Sequence, residues 1–217
     1  MSVWNRNLIF LFDIFSIKMK NFSQAPTPLF SFKQKLQLFS IGIYNWNIPT
    51  YTTSDELLTI YNLAKSLSKK SVLLEVGSYL GASSLMIAKG IKKSSKLICV
   101  DTWQNDAMSE GKWDSYKIFL SNIRPVKDRI ETVQSTSIEA SNKINEHLDM
   151  IFIDGDHSYE AVKNDVSNWF PKLKSGGIIV MHDIGWATGV QKVVEEDVKP
   201  FLREHDNLPN IFWGWKR

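Results

Sequence analysis

From residue 53 onward, short runs of continuous apolar residues alternate with longer stretches where apolar residues recur every three or four positions. The short runs read as buried strands and the three- and four-residue spacing as one face of a helix. Thr53 and Glu56 have capping-box spacing ahead of the stripe Leu57, Ile60, Tyr61, Ala64 and Leu67, which predicts a helix. "SVLLEV" predicts a strand, and "GASSLMIAKGI" a helix behind a glycine turn. "KLICVD" is a second strand; Trp113, Tyr116, Phe119, Leu120 and Ile123 stripe a further helix. "RIETVQ" is a third strand, followed by a short helix in "SIEASNKI". "MIFID" is a fourth, followed by a helix striped by Tyr159, Val162, Val166, Trp169 and Phe170. "GIIVMHD" is a fifth; Val190, Val193, Val194, Val198 and Phe201 stripe the last helix, and "IFWGW" is a terminal strand. Repeated β-α units with strands apolar throughout predict the α/β class: a doubly wound, mostly parallel sheet with helices on both faces and a C-terminal edge strand.

Residues 1–47 break this rhythm and predict an N-terminal extension to a domain spanning 48–217. They hold seven of the twelve phenylalanines, with Pro26 and Pro28. Such aromatic content is expected to pack on the domain or on a second copy in a homo-oligomer. The alternative is a segment lying on a membrane surface, since basic and aromatic residues are mixed there. The opening "MSVWNRNLIFLFDIFSIKMK" looks like a signal sequence, but Asp13 interrupts the apolar run and no small-residue cleavage site follows. No run approaches the ~20 apolar residues of a membrane span.

Composition narrows the class. At 217 residues the chain has room for one domain with a substantial core. A single cysteine, Cys99, rules out an internal disulfide framework and predicts a cytoplasmic setting. Charge is uneven: Arg6, Lys18, Lys20, Lys33 and Lys35 face one acid, Asp13, in residues 1–47, so the remainder is slightly acidic although the whole carries +3. A nucleic-acid enzyme carries basic residues at its site; the acids here predict a small-molecule partner and no nucleic acid.

Two acid-and-histidine clusters follow directly on apolar strands: Asp154, Asp156 and His157, then His182 and Asp183. Parallel strands joined by a crossover end at the same sheet edge, where open α/β sheets place their ligands. Neighbouring strands lie about 4.8 Å apart, so these carboxylates and imidazoles are expected to converge. The turn "LLEVGSYLGASS" has G-x-x-x-G spacing rather than the G-x-G-x-x-G of dinucleotide binders, and Glu75 lies within its strand end. Its helix N-terminus offers free N–H groups to a carboxylate-bearing ligand. Asp101 ends the second strand, where an acid commonly takes ribose hydroxyls. Glu160 and Asp165 read as solvated helix residues, and Asp156 as a cap near Ser158. Trp103, Trp113 and Trp186 are candidate pocket walls. His147 and His205 carry no signal.

The runs "LLEVGSYLGASS", "VDTWQND", "IFIDGDHSYEAVKNDVSNWFPKLKSGGIIVMHD" and "GVQKVVEE" resemble the S-adenosylmethionine-dependent methyltransferases, most of all the methyltransferase-24 domain group, whose relatives act on sugars and secondary metabolites. The resemblance covers about residues 53–200. It implies a Rossmann-like sheet in which Glu75, Gly77, Ser78 and Gly81 hold the methionine end of the cofactor. It implies Asp101 at the ribose, Thr136 or Ser137 at the adenine, Asp154 beside both cofactor and acceptor, and "TWQNDAMSEGKW" as a loop over the pocket. Asp154 and His157 fit the D-x-x-H of metal-dependent sugar methyltransferases, and Asp183 the second acid of their acidic pair; His182 stands where the first acid would be. This implies Asp154 and His157 in catalysis, and a divalent cation, Mg²⁺ or a transition metal, on Asp154, His182 and Asp183. Two carboxylates and an imidazole suit a transition metal better than Mg²⁺. A site without metal, using His157 or His182 alone as base, is the alternative. A nicotinamide-dependent oxidoreductase and a non-catalytic member of the fold are the competing functions.

Overall fold

A computed structural model describes residues 25–106 and 111–217. After α1 (Phe32–Ser40) and α2 (Ser54–Ser66), the β-α units run β1 (Val72–Val76), α3 (Ala82–Gly90), β2 (Lys96–Asp101), α4 (Tyr116–Asn122), β3 (Ile130–Gln134), α5 (Ser137–Ser141), β4 (Leu148–Ile153), α6 (Tyr159–Trp169), β5 (Leu173–His182) and α7 (Thr188–Val193). Two further strands, β6 (Leu202–Leu208) and β7 (Ile211–Lys216), close the chain. The seven strands lie in the order β3-β2-β1-β4-β5-β7-β6. The first five are parallel; β7 pairs antiparallel with β5, and β6 with β7.

While β3, at one edge of the sheet, holds no fully buried residue, β1, β2, β4 and the second half of β5 are buried on both faces because each side of the sheet carries its own apolar layer. One contains Leu57, Ile60, Met86 and Phe152; the other contains Leu74, Ile151, Val166 and Trp169. The terminal strand is inner, and the edge on that side belongs to β6, which pattern alone does not reveal. Its sequence, Leu-Arg-Glu-His-Asp-Asn-Leu, is almost wholly exposed, and such charge on an edge discourages pairing with another chain. Trp113 falls before α4 and packs edge-on to Tyr79, ring centres 6.5 Å apart.

The described part of the extension shares the domain's core. Phe30, Leu38 and Ile43 are buried in the layer that holds α2. Lys89 Nζ donates to the Ile41 carbonyl, and Thr50 N to that of Pro26. Leu29, Phe32, Leu36, Phe39 and Tyr44 remain exposed on it. Deleting residues 1–47 removes three core side chains, each worth about 1.5–3 kcal/mol when fully buried. Light scattering is expected to show aggregation or a changed mass; a well-behaved truncated monomer with full activity would contradict this. Among the described residues no helix is long and apolar enough to cross a membrane.

Candidate active site

Strand order reverses between β1, with β2 on one side, and β4 on the other, which is where open α/β sheets open a crevice at their carboxyl ends. The loops after β1 and β4 meet there. Asp154 N donates to the Val76 carbonyl at 2.8 Å. A Cβ on Gly77 would lie 2.0 Å from the Asp154 carbonyl oxygen, and φ at Gly77 is +83°. Only glycine satisfies both conditions.

Two cavities open at this crevice. One, of about 440 Å³, is lined by Ser78, Asp154, His157, His182, Asp183 and Trp186, among others. The other, of about 570 Å³, runs past Asp101, Thr136, Ser137, Asp156 and Asp165. Gly77, Tyr79, Asp154 and Gly155 line both, so a single elongated ligand can lie across them.

Asp101 shapes the loops around it. Its Oδ2 accepts from Ser78 N and Tyr79 N, each at 2.8 Å, and its Oδ1 from Trp103 N at 2.7 Å. Burial pushes its carboxyl above the usual range against those three bonds. Glu75 lies beneath the turn, fully buried, and accepts from Ser78 Oγ at 2.6 Å, from Ser84 Oγ and from Cys99 Sγ. Burial raises its pKa too. Gly81 starts α3 at φ +86°, and the space where its Cβ would stand is taken by Ile123 and Phe119. Glu75 and Gly81 therefore build the turn from behind, while Gly77 and Ser78 face the cavity. Thr136 caps α5 by accepting from Glu139 N, and Ser137 Oγ accepts from Trp169 Nε1 at 2.8 Å.

The chemistry-bearing side chains cluster on the other cavity. His182 ends β5, 3% exposed, with Nε2 3.4 Å from Glu56 Oε2. Its Nδ1 lies 3.2 Å from both Asp154 Oδ1 and Asp183 Oδ1, in ion-pair range but aligned as a hydrogen bond with neither. Burial opposes the charge of His182, but Asp154, Asp183 and Glu56 together push its pKa up to about 12. Successive strand residues point to opposite faces. Asp183 escapes this rule because its backbone is left-handed, φ +63°, and it turns back into the cavity of His182. Its Oδ2 is 2.8 Å from His157 Nε2, and its Oδ1 accepts from Trp186 Nε1 at 2.7 Å and Asn210 Nδ2 at 3.0 Å. Despite burial, the two histidines hold the Asp183 carboxyl well below the usual range. In return Asp183 raises His157. Trp186, 61% exposed, stands edge-on to His157, ring centres 4.9 Å apart.

The structure thus brings Asp154, His157, His182 and Asp183 together. It departs from the pattern reading elsewhere. Trp103 is fully buried and packs on Tyr116 and Phe119, so it is core and not a pocket wall. Ser158 caps α6 itself, and Asp156 Oδ1 accepts from Ser158 N at 2.7 Å. Glu160, His147 and His205 are exposed. Asp165 is buried, not solvated. Glu56 was legible only as a capping residue, yet the oxygen that accepts from Thr53 N also faces His182. The loop over the pocket includes residues 107–110, which lie outside the described residues, as do 1–24 of the extension.

Burial pushes Asp165 up to about 6 from an ordinary 3.8. A carboxyl raised on folding binds its proton more tightly in the native state, so stability falls as pH rises from about 4 to 6, and the full penalty stands above that. The shift corresponds to at most about 3 kcal/mol. Asp165→Asn, which mimics the protonated form, is expected to raise Tm at pH 7.5 and to leave it nearly unchanged at pH 3.5. Equal changes at both pH values in thermal melts would contradict the burial argument.

Comparison with known proteins agrees with this geometry. The family profile described as a methyltransferase domain matches residues 74–184. An uncharacterized protein of Sinorhizobium fredii is 28% identical over 156 residues, which are 65% of this chain and 17% of that protein. An uncharacterized protein of Acanthamoeba polyphaga mimivirus is 28% identical over 145 residues, 63% of this chain and 64% of its own length. The chain therefore spans less than two thirds of either relative. The crystal structure of the O-methyltransferase from Bacillus cereus in complex with SAH superposes with a TM-score of 0.61 at 14% identity, covering 85% or more of both chains (87% of this one and 93% of that one). The profile match takes in the end of β1, the Gly77 turn, Asp101, Asp154, His157, His182 and Asp183, and with it the chain belongs to the methyltransferase domain family of S-adenosylmethionine-dependent methyltransferases.

Proposed function

We propose that this chain transfers the methyl group of S-adenosylmethionine to a hydroxyl of a small molecule, a sugar or a secondary metabolite. The observation that carries the reading is the His157–Asp183 pair at 2.8 Å, opening into a cavity continuous with the Gly77–Ser78 turn. When bound, S-adenosylmethionine supplies an electrophilic methyl on a positively charged sulfur. The donor set fits it. The cavity past Asp101 is lined by six acids, Asp101, Asp106, Asp154, Asp156, Glu160 and Asp165, and, among the described residues, by no Lys or Arg. A cationic cofactor suits that lining; the diphosphate of a nicotinamide dinucleotide does not.

Gly77 and Ser78 would hold the methionine end, Asp101 the ribose, and Thr136 and Ser137 the base. With Nε2 of His157 donating to Asp183, its Nδ1 is the nitrogen left to take the acceptor hydroxyl's proton. Asp183, held ionised, orients the ring and stabilises the imidazolium that forms. Trp186 offers an apolar ring face beside these polar groups, a combination suited to a sugar. The exposed stripe on α1 would meet a second copy of the chain.

A second reading adds a divalent cation. Asp154, His182 and Asp183 each offer a ligand atom, all within 4.8 Å of one another. Glu56 on the far nitrogen of His182 occupies the place of the outer carboxylate that orients a metal-bound imidazole. The other claimant for that space is the imidazolium charge of His182 itself, and loss of turnover in EDTA, restored by added metal, would separate the two.

Isothermal titration tests the cofactor. S-adenosylhomocysteine is expected to bind, and Asp101→Ala to weaken it by at least ~1.5 kcal/mol, the scale of a hydrogen bond to a charged group. No heat and no thermal shift with either methyl donor or product would sink the assignment.

A further inference from the structure

We propose that Asn210, in the turn between β6 and β7, is a positioning residue for the Asp183–His157 pair, holding the carboxylate so that one of its oxygens stays on the ring. The inference rests on the reading of His157 as the base. Strand register brings the turn to the site. β7 runs antiparallel to β5 with Ile211 opposite His182, and Leu208 pairs with Ile211 across the hairpin. Pro209 and Asn210 are therefore carried to the end of β5, where Asp183 leaves the sheet.

Apart from the two histidines, the contacts on Asp183 are of two kinds. Trp186 Nε1 donates to its Oδ1 and Ala187 N to its carbonyl, from three and four residues further on. Those bonds close the turn on itself and move with it. Asn210 belongs to another element. Its Nδ2 donates to Asp183 Oδ1 at 3.0 Å, and its Oδ1 accepts from Gly185 N at 2.9 Å, across 27 and 25 positions. A backbone N–H only donates and a carboxylate only accepts, so the carboxamide has one way round here. Gly185 permits the approach: a Cβ there would stand 2.7 Å from the Pro209 carbonyl oxygen and 2.8 Å from Asn210 Oδ1. Asp183 has left-handed backbone, φ +63°. A residue in that region keeps its conformation only where its surroundings over-determine it. One amide that grips both the Asp183 side chain and the Gly185 backbone ties the turn to the sheet and sets where the free carboxylate oxygen points.

The test is proton NMR of the full chain, with a crystal structure of each variant. The wild type is expected to show an imidazole N–H resonance downfield of the backbone amides, because a carboxylate acceptor deshields the proton; His157→Ala assigns it by its loss. Asn210→Ala removes both amide contacts. Asn210→Asp keeps an acceptor for Gly185 N, removes the donor and sets a second carboxylate against Asp183. Both variants are expected to melt cooperatively, to lose the resonance, and to open the 2.8 Å separation of Asp183 Oδ2 and His157 Nε2 beyond ~3.5 Å, past hydrogen-bond range. A resonance and a separation unchanged in Asn210→Asp would confine Asn210 to bracing Gly185 and overturn the proposal, as would no change in Asn210→Ala. Asn210→Ser replaces a variant that does not fold, its hydroxyl being too short to span both partners; if none of the three folds, Asn210 is a folding residue and the proposal falls. A wild type with neither the resonance nor the close pair would overturn the reading of His157 and Asp183 themselves, which is a separate outcome.

Discussion

Replacing His157 by alanine is expected to lower kcat by ~10²–10⁴ while leaving the affinity for S-adenosylhomocysteine within about twofold. The expectation follows from its position. Asp183 holds one ring nitrogen at 2.8 Å, and the ring lines the cavity that also holds Asp154 and Trp186. Its contacts are to acceptor-side groups, so removing it should spare the cofactor trough. Asp183→Asn should also cut kcat, since the amide cannot stabilise an imidazolium and can turn its N–H to the ring. Single-turnover kinetics with chelator arms separate the roles. Activity that survives EDTA but not His157→Ala keeps the base and discards the metal. Activity that survives both would leave a methyltransferase fold whose reacting groups lie elsewhere.

Gly77→Ala is expected to be the most damaging single methyl group in the chain. Left-handed backbone costs an L-residue about 1–2 kcal/mol. The new Cβ would also stand 2.0 Å from a backbone carbonyl oxygen that is itself fixed by the Asp154 N to Val76 O bond. Neither backbone can yield without breaking the β1–β4 register. A destabilisation of at least ~4 kcal/mol is the scale for strain of this kind, which lowers Tm by roughly 8–16 °C in a domain this size. A thermal melt within ~2 °C of wild type would show that the two loops adjust.

Four of the five parallel strands were legible because each carries an apolar run between turn signals, as burial on both faces requires; β3 (Ile-Glu-Thr-Val-Gln) is a half-exposed edge strand and showed itself by its place in the β-α rhythm. The placement of Asp154, His157, His182 and Asp183 at one edge followed from topology alone, since parallel strands end together. What pattern could not give were properties set by distant partners. Strand β6 is polar because it is an edge, so it carries no apolar signature. Asp165 occupies a polar position on a helical wheel, yet α5 covers it through Ser137. Trp103 sits in a loop by sequence and in the core by packing. Glu56 displayed its local role, three residues from Thr53, and hid the one that depends on His182.

That last pairing has a kinetic consequence. Glu56 and His182 are separated by 126 positions, and closing so long a loop is entropically costly before any contact rewards it. A chain emerging from the ribosome can cap α2 and pair β1 with β2 early, but Glu56 waits for the partner that ends β5. The charged centre therefore assembles only after β5 has been made, and a product that stops before β5 lacks it while still carrying β1 to β4.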